Sequence, residues 1–417
     1  MNKPIFSLES DSEKQCHSDP IYQQMVKLRR AFHRQAELAF HERNTAALII
    51  EELVRLDIPY EYGGIGQGII AFLDRDDLDK DKHFPRIALR AEMDALPGQE
   101  NTHLPFTSVD ENTMHACGHD AHMAMVLGAA ALLKQSPPNI NVTLVFQPAE
   151  ESGGGSRVMI NNNALRDVNA IFGGHVTHHY SVGEIMVNHG VITAQSDRFC
   201  IEIKGKGGHG ARPHEAIDAI IIAGGLISSI QTVVSREINP LHPSVITIGT
   251  LHAGSAANVI AEHAIMEGSI RTTLAETRRN INVGLKRIVK AFETLHDAEI
   301  KLTLSEGYPP VINTETETLI AHQAASRVVG ESNIKVAEYP SMGSEDFSYY
   351  LDHVPGCYVR FGARSAEQEY IPLHSPSFDI DENVLAVGAH YFYQIAQQSA
   401  TFYHADKYNK KPKESIV

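Results

Sequence analysis

The chain has 417 residues, too many for one ordinary core, so two domains or a large domain with an insertion are expected. Its 43% hydrophobic and 21% charged residues are those of a folded globular protein. A net charge of −15 argues against binding to nucleic acid or to an anionic membrane by general electrostatics, although a local basic pocket for an anionic substrate remains open.

Residues 1–15 are polar and hold no apolar core of signal-peptide length, which predicts a cytoplasmic protein. The longest apolar runs, such as 219–227, are too short to span a membrane. Cys16, Cys117, Cys200 and Cys357 lie far apart and make no disulfide framework. Cys200 and Cys357 sit in apolar strand-like runs and read as core residues.

The first part of the chain alternates helix and strand. Ile21, Met25, Leu28 and Phe32 recur at helical spacing, and Leu48, Ile49, Leu53 and Leu56 do so again. The glycines Gly63, Gly64, Gly66 and Gly68 precede a short apolar run instead of linking strand to helix. They read as a hairpin or loop, not a nucleotide fingerprint. Buried strands are expected at 86–89, 142–146 and 170–172, with a helix at 122–133. This is an α/β layered pattern.

Near residue 195 the rhythm changes. Strand 197–204, helix 215–234, strands 245–251 and 264–272, helix 275–295 and strand 299–305 give a βαββαβ order. The expected fold is α/β, with a large domain of central sheet and flanking helices and an inserted small α+β domain. The large domain is assigned 1–194 and 306–417, and the insert 195–305. The sequence ends in a helix near 382–398 and a charged tail, 407–413, that reads as a frayed end.

Chemistry concentrates in a few motifs. His115-Ala116-Cys117-Gly118-His119-Asp120-Ala121-His122 places a cysteine and a histidine two residues apart, able to reach one metal. Gly118 allows a tight turn between them. Alone, the segment reads equally as a loop with scattered histidines. Phe146-Gln147-Pro148-Ala149-Glu150-Glu151 sets two adjacent carboxylates at the carboxyl end of a strand, where open α/β sheets place their sites. In extended backbone these would point to opposite sides, one to metal and one to substrate. A solvated acidic turn is the plain alternative. Gly173-Gly174-His175 ends another apolar strand, and Pro372-Leu373-His374 lies late in the chain. Cys117, His119, Glu151, His175 and His374 together suit two zinc-like ions sharing a bridge better than one.

With Gly205-Lys206-Gly207-Gly208-His209 and Gly343-Ser344-Glu345-Asp346-Phe347, these motifs resemble the hippurate hydrolases, N-acyl-amino-acid amidohydrolases and indole-acetyl-amino-acid hydrolases. These belong to the dinuclear metallopeptidases of the aminoacylase and carboxypeptidase G type. The resemblance runs from about residue 20 to 400. It implies metal-dependent cleavage of the amide bond of a small N-acyl amino acid with a free carboxylate. It also implies two divalent cations (zinc, manganese, cobalt or nickel) bridged by the Cys117 thiolate. His374 and Glu151 would complete one metal site, and His119 and His175 the other.

By the same resemblance Glu150 is the catalytic base and proton shuttle. His209 is a lid histidine that stabilises the oxyanion and can serve a partner subunit. Asn258 and Arg271 contact the substrate carboxylate, and the 343–347 loop has a supporting role near the metals. His209 also reads as a turn residue, and Arg271 as a strand-face charge paired with Glu267. A homodimer or homotetramer is expected, through an edge strand of the small domain. Carboxypeptidase or dipeptidase activity, or a silent metal- or carboxylate-binding protein, are the alternatives. Glu92 stands where the family commonly has an aspartate that orients a metal ligand. Ala261 replaces a usual proline, and Thr177-His178-His179-Tyr180 replaces a more proline-rich stretch.

Overall fold

The computed structural model describes Ile5 and residues 18–75 and 84–404. The remaining N-terminal residues, Cys16 among them, and the tail at 407–413 lie outside the described residues. The chain forms two compact units: Met1–Gly190 with Ile312–Glu338 and Tyr349–Val417, and Val191–Val311 with Tyr339–Ser348.

The larger unit is built on an eight-stranded mixed sheet. Its order is Tyr60–Tyr62, Ile69–Leu73, Asn141–Gln147, Arg86–Glu92, Ala170–Ser181, Gly356–Arg364, Ile185–Met186, Ile334–Lys335. From Asn141–Gln147 to Gly356–Arg364 neighbouring strands are parallel. Parallel strands are covered on both faces, which is why they read as continuous apolar runs such as Ile87-Ala88-Leu89. Tyr60–Tyr62 pairs antiparallel with Ile69–Leu73, so the glycine-rich stretch closes a hairpin.

The helix His119–Gln135 is buried on almost every side, as an all-round apolar helix must be. Gly128 lets the first helix, Pro20–Arg34, lie against it. A Cβ there would meet Met25 Sδ at 2.1 Å.

Two expectations change. The strand at 170 does not stop at Phe172 but runs to Ser181, so His175 is a mid-strand residue and not a loop residue. Its glycines, threonine and histidines hide the strand from an apolar-run reading, while pairing with Gly356–Arg364 sustains it. Gly174 is needed there, since a Cβ would crowd Phe361 and Val359 at 2.5 and 2.9 Å. The second helix of interest starts at Ala219, not Glu215, because Asp218 caps it by accepting the N–H of Ile220 and Ile221.

The smaller unit has a four-stranded antiparallel sheet in the order Ser244–Ala253, His263–Thr272, Gln195–Lys204, Glu299–Glu306. Phe199, Ile201 and Ile203 alternate with exposed Arg198, Glu202 and Lys204, so one face is buried. Ile222 and Leu226 from one helix, and Ile281 and Leu285 from Ala275–His296, join that core. The segment Ala219–Glu237 is longer than its apolar run implied. Its mean hydropathy of 1.5 would suffice to cross a membrane by length and composition. Ile222, Ala223, Leu226, Ile230 and Val233 are instead wholly buried in this core.

Candidate metal centre

The site grows from backbone turns that aim side chains inward. Gly118 has φ +84°, and a Cβ there would lie 2.3 Å from Val176 Cγ2. That turn separates buried Cys117 from His119, the first residue of its helix. From the neighbouring strand His175 brings Nε2 to 3.2 Å from Cys117 Sγ. The His374 N–H donates to the Ala116 carbonyl at 2.8 Å, which ties the late segment to the same loop. His374 itself is held at φ +65°, and its Nε2 lies 3.2 Å from Glu151 Oε1.

Glu150 and Glu151 do not sit in extended backbone. Ala149 takes φ +51°, and the chain turns through both carboxylates instead of alternating them. The turn closes with the Gly155 N–H on the Ala149 carbonyl, where only glycine fits: a Cβ would lie 1.6 Å from the Pro148 oxygen. Two distant carboxylates hold it. Glu42 Oε1 accepts the Ala149 N–H at 2.9 Å, and Asp94 Oδ2 accepts the Glu151 N–H at 2.9 Å. Both acids are buried, and burial raises the Glu42 carboxyl to about 7.

The outcome is two sets of donors that share one sulfur. Cys117, His119 and His175 can meet one ion, and Cys117, Glu151 and His374 another, each set having donor atoms within 4.8 Å of one another. Glu150 joins His119 and Glu151 within the same limit. The donors fit divalent cations. His119 gives its Nδ1 proton to the Asp94 carbonyl at 2.8 Å, and His175 gives its own to the Val176 carbonyl at 2.7 Å. Both Nε2 lone pairs are left for the centre. His119 Nε2 is buried without a hydrogen-bond partner, a costly state that a cation relieves. Burial, Glu151 and Glu150 push the Cys117 thiol well up. Burial opposes charge on His119, yet Asp94, Glu92 and Glu151 together raise it to about 10. The cluster therefore calls for positive charge, and a metal would hold the thiol as thiolate.

Sequence reading missed the supporting residues. Glu92 lies within reach of both His119 and His122 and bonds the latter. Its carboxylate takes His122 Nδ1 at 2.8 Å, the Tyr358 hydroxyl at 3.0 Å and the Arg90 guanidinium. Asp94 lies beside His119. His122 accepts the Val176 N–H on Nε2 and packs its ring on His175 at 4.7 Å. Behind the loop, buried Arg29 meets Asp120, Asp379 and Glu382. His33 bridges Asp120 at 2.8 Å and Glu100 at 3.0 Å. Asp120 stands inside the 115–122 motif and Asp94 two residues after Glu92; Glu42 and His33 carry no local signal.

The small unit brings two expected residues together. His209 pairs in register with Val259, and the Gly210 N–H donates to the Asn258 carbonyl at 2.8 Å. Arg271 shares a strand face with Glu267 but bonds elsewhere. Its guanidinium donates to the Met342 carbonyl at 2.9 Å and lies 3.5 Å from the Ser344 hydroxyl. Glu267 lies 3.4 Å from the Thr250 hydroxyl. The Glu345 carboxylate accepts the Phe347 N–H within its own loop. Ala261 is buried, and its carbonyl accepts the N–H of Ala219.

A mixed α/β unit carrying this donor set is that of a metal-dependent hydrolase of amide or peptide bonds. The chain belongs to the peptidase family M20/M25/M40, whose model matches residues 88–398. It is 35% identical over 397 residues to an N-acetyl-L-cysteine deacetylase of Bacillus subtilis, covering 94% of this chain and 92% of that protein. It is 36% identical over 372 residues to thermostable carboxypeptidase 1 of Saccharolobus solfataricus, covering 88% and 92%. Among solved structures it resembles Bacillus subtilis YXEP, a dinuclear metal-binding peptidase of the M20 family. The TM-score is 0.77 at 33% identity, over 91% of this chain and 99% of that one.

The His33 clamp predicts a pH dependence. Burial disfavours its charge, but hydrogen bonds to Asp120 and Glu100 outweigh that and raise it to about 9 from 6.5. Its stabilisation is full below pH 6.5 and is lost as pH rises through 9. The stability gap between wild type and His33→Gln, from urea unfolding, should narrow by on the order of 3 kcal/mol between pH 6.5 and 9.5. A gap independent of pH would mean that the buried ring is neutral.

Proposed function

We propose that the chain hydrolyses the amide bond of N-acyl amino acids. One cation is held by Cys117, His119 and His175, and a second by Cys117, Glu151 and His374. The observation that carries this reading is the pair of donor sets sharing buried Cys117, with Glu150 alongside. Zinc, manganese, cobalt or nickel all suit such nitrogen, oxygen and sulfur donors.

When bound, the cations polarise the scissile carbonyl and lower the pKa of the attacking water towards about 7. Glu150 takes the proton of that water and returns it to the leaving nitrogen. The turn pinned by Glu42 and Asp94 fixes the backbone on both sides of Glu150 before substrate arrives. From the small unit, His209 stabilises the oxyanion, and Asn258 and Arg271 receive the substrate carboxylate. Arg271 suits this because a guanidinium forks onto a carboxylate, and its partners here are neutral. The carboxypeptidase relative favours a second reading, cleavage of short peptides by the same chemistry.

Glu150→Gln should lower turnover about 100- to 10,000-fold while metal analysis still finds the wild-type metal content. Near-normal turnover in that variant would remove Glu150 as the shuttle. On a panel of acetyl-, benzoyl-, indole-acetyl- and peptidyl-amino acids, the acyl amino acids should be cleaved fastest. Arg271→Ala should raise their KM roughly 10- to 100-fold. Cleavage of dipeptides alone selects the second reading, and an unchanged KM excludes Arg271 as the carboxylate contact. The edge strand Ser244–Ala253, with exposed Val245 and Leu251, supports self-association through the small unit. Sedimentation should therefore find a dimer or tetramer; a fully active monomer would rule this out.

A further inference from the structure

His175 and His374 reach the centre from two different pieces of chain, and one further histidine joins those pieces. His178 lies on the same strand as His175 and is 2% exposed. The Ile371 N–H donates to its Nδ1 at 3.1 Å. That bond leaves the ring proton on Nε2, which donates to the Asp379 carbonyl at 2.7 Å. A single neutral imidazole thus closes both ends of the segment 371–379. Phe378 packs on the ring at 5.2 Å, and burial lowers its pKa, which favours the neutral form.

His374 lies between those two ends. Its side chain is 54% exposed, and its φ of +65° is one that a residue with a side chain rarely adopts. The bonds from the His374 N–H to Ala116 and from the Asn101 N–H to Pro376 fix its middle. The ends of the segment are fixed by His178, with Arg29 on the Asp379 side chain.

We propose that His178 is a positioning residue for the metal centre: by clamping Ile371 and Asp379 it sets His374 against Cys117 and Glu151, and so governs the affinity of one cation of the pair. This rests on the two-cation reading above. The clamp acts on one donor set. His119 opens a helix and His175 is held by its strand's pairing with Gly356–Arg364, so neither hangs on the segment 371–379. The two cations should therefore respond differently to its loss.

The test titrates metal-free protein with Mn²⁺ and with Zn²⁺ and follows hydrogen exchange by mass spectrometry. His178→Ala should weaken the second binding step about 10- to 100-fold and leave the first nearly unchanged. In the metal-free protein, peptides covering 371–379 should exchange faster while the rest of the larger unit stays as in wild type. His178→Asn retains an acceptor for Ile371, and His178→Gln a donor for Asp379, so each should fall between alanine and wild type. They also serve if the alanine variant does not fold. Two unchanged binding steps would overturn the proposal, as would equal weakening of both with faster exchange throughout. If wild type takes up no second cation, the two-cation reading fails instead, and exchange of 371–379 still decides the clamp.

Discussion

A buried thiol surrounded by carboxylates is the constraint on which the site depends. Cys117 sits beside Glu150 and Glu151, and these acids with burial drive its proton affinity up. The same anionic field raises His119 to about 10 although burial works against it. Protons could satisfy such a cluster only by neutralising the groups that make it useful. Divalent cations satisfy it with the thiolate and lone pairs intact, because they supply charge and accept donors at once.

That concentration of charge persists because backbone groups are spent on holding it. The parallel strands Arg86–Glu92 and Asn141–Gln147 end side by side, and Asp94 and the Glu150 turn follow directly from them. Asp94 then serves twice, its carbonyl orienting His119 and its carboxylate fixing the Glu151 N–H. Glu42 enters from a loop before the second helix to fix the Ala149 N–H. Each contact is a buried hydrogen bond to or from a charged or ligating group, the kind that is stronger than a neutral one and restricts motion most. Behind them, Arg29 and His33 on the first helix neutralise Asp120 next to His119, so the helix end that presents His119 is itself anchored.

Local motifs made part of this legible. Cys117, Gly118 and His119 stand in a row, and the tight turn that the glycine allows between the two donors could be read there, while its left-handed φ is a finding of the structure. The βαββαβ order was readable because each small-unit strand alternates or runs apolar between clear helices. What stayed hidden depends on distance or on backbone sign. No residue near Glu42 announces a bond to Ala149, and only the fold brings them together. The positive φ of Ala149 is imposed by its tertiary bonds and by Gly155, so an extended reading of Glu150 and Glu151 was natural and incorrect. The strand through His175 was shortened because glycine, threonine and histidine carry little apolar signal, whereas ladder pairing sets its length. Glu92 stands where the resembled family has a residue that orients a metal ligand, and nothing in the sequence hinted that its carboxylate bonds His122, Tyr358 and Arg90.

A crystal of the protein grown with Mn²⁺ and measured at an anomalous wavelength probes the shared sulfur directly. Two anomalous peaks are expected, both within bonding reach of Cys117 Sγ, one contacted by His119 and His175 and the other by Glu151 and His374. A lone peak, or two peaks of which one lies out of reach of that sulfur, would contradict a thiolate-bridged pair.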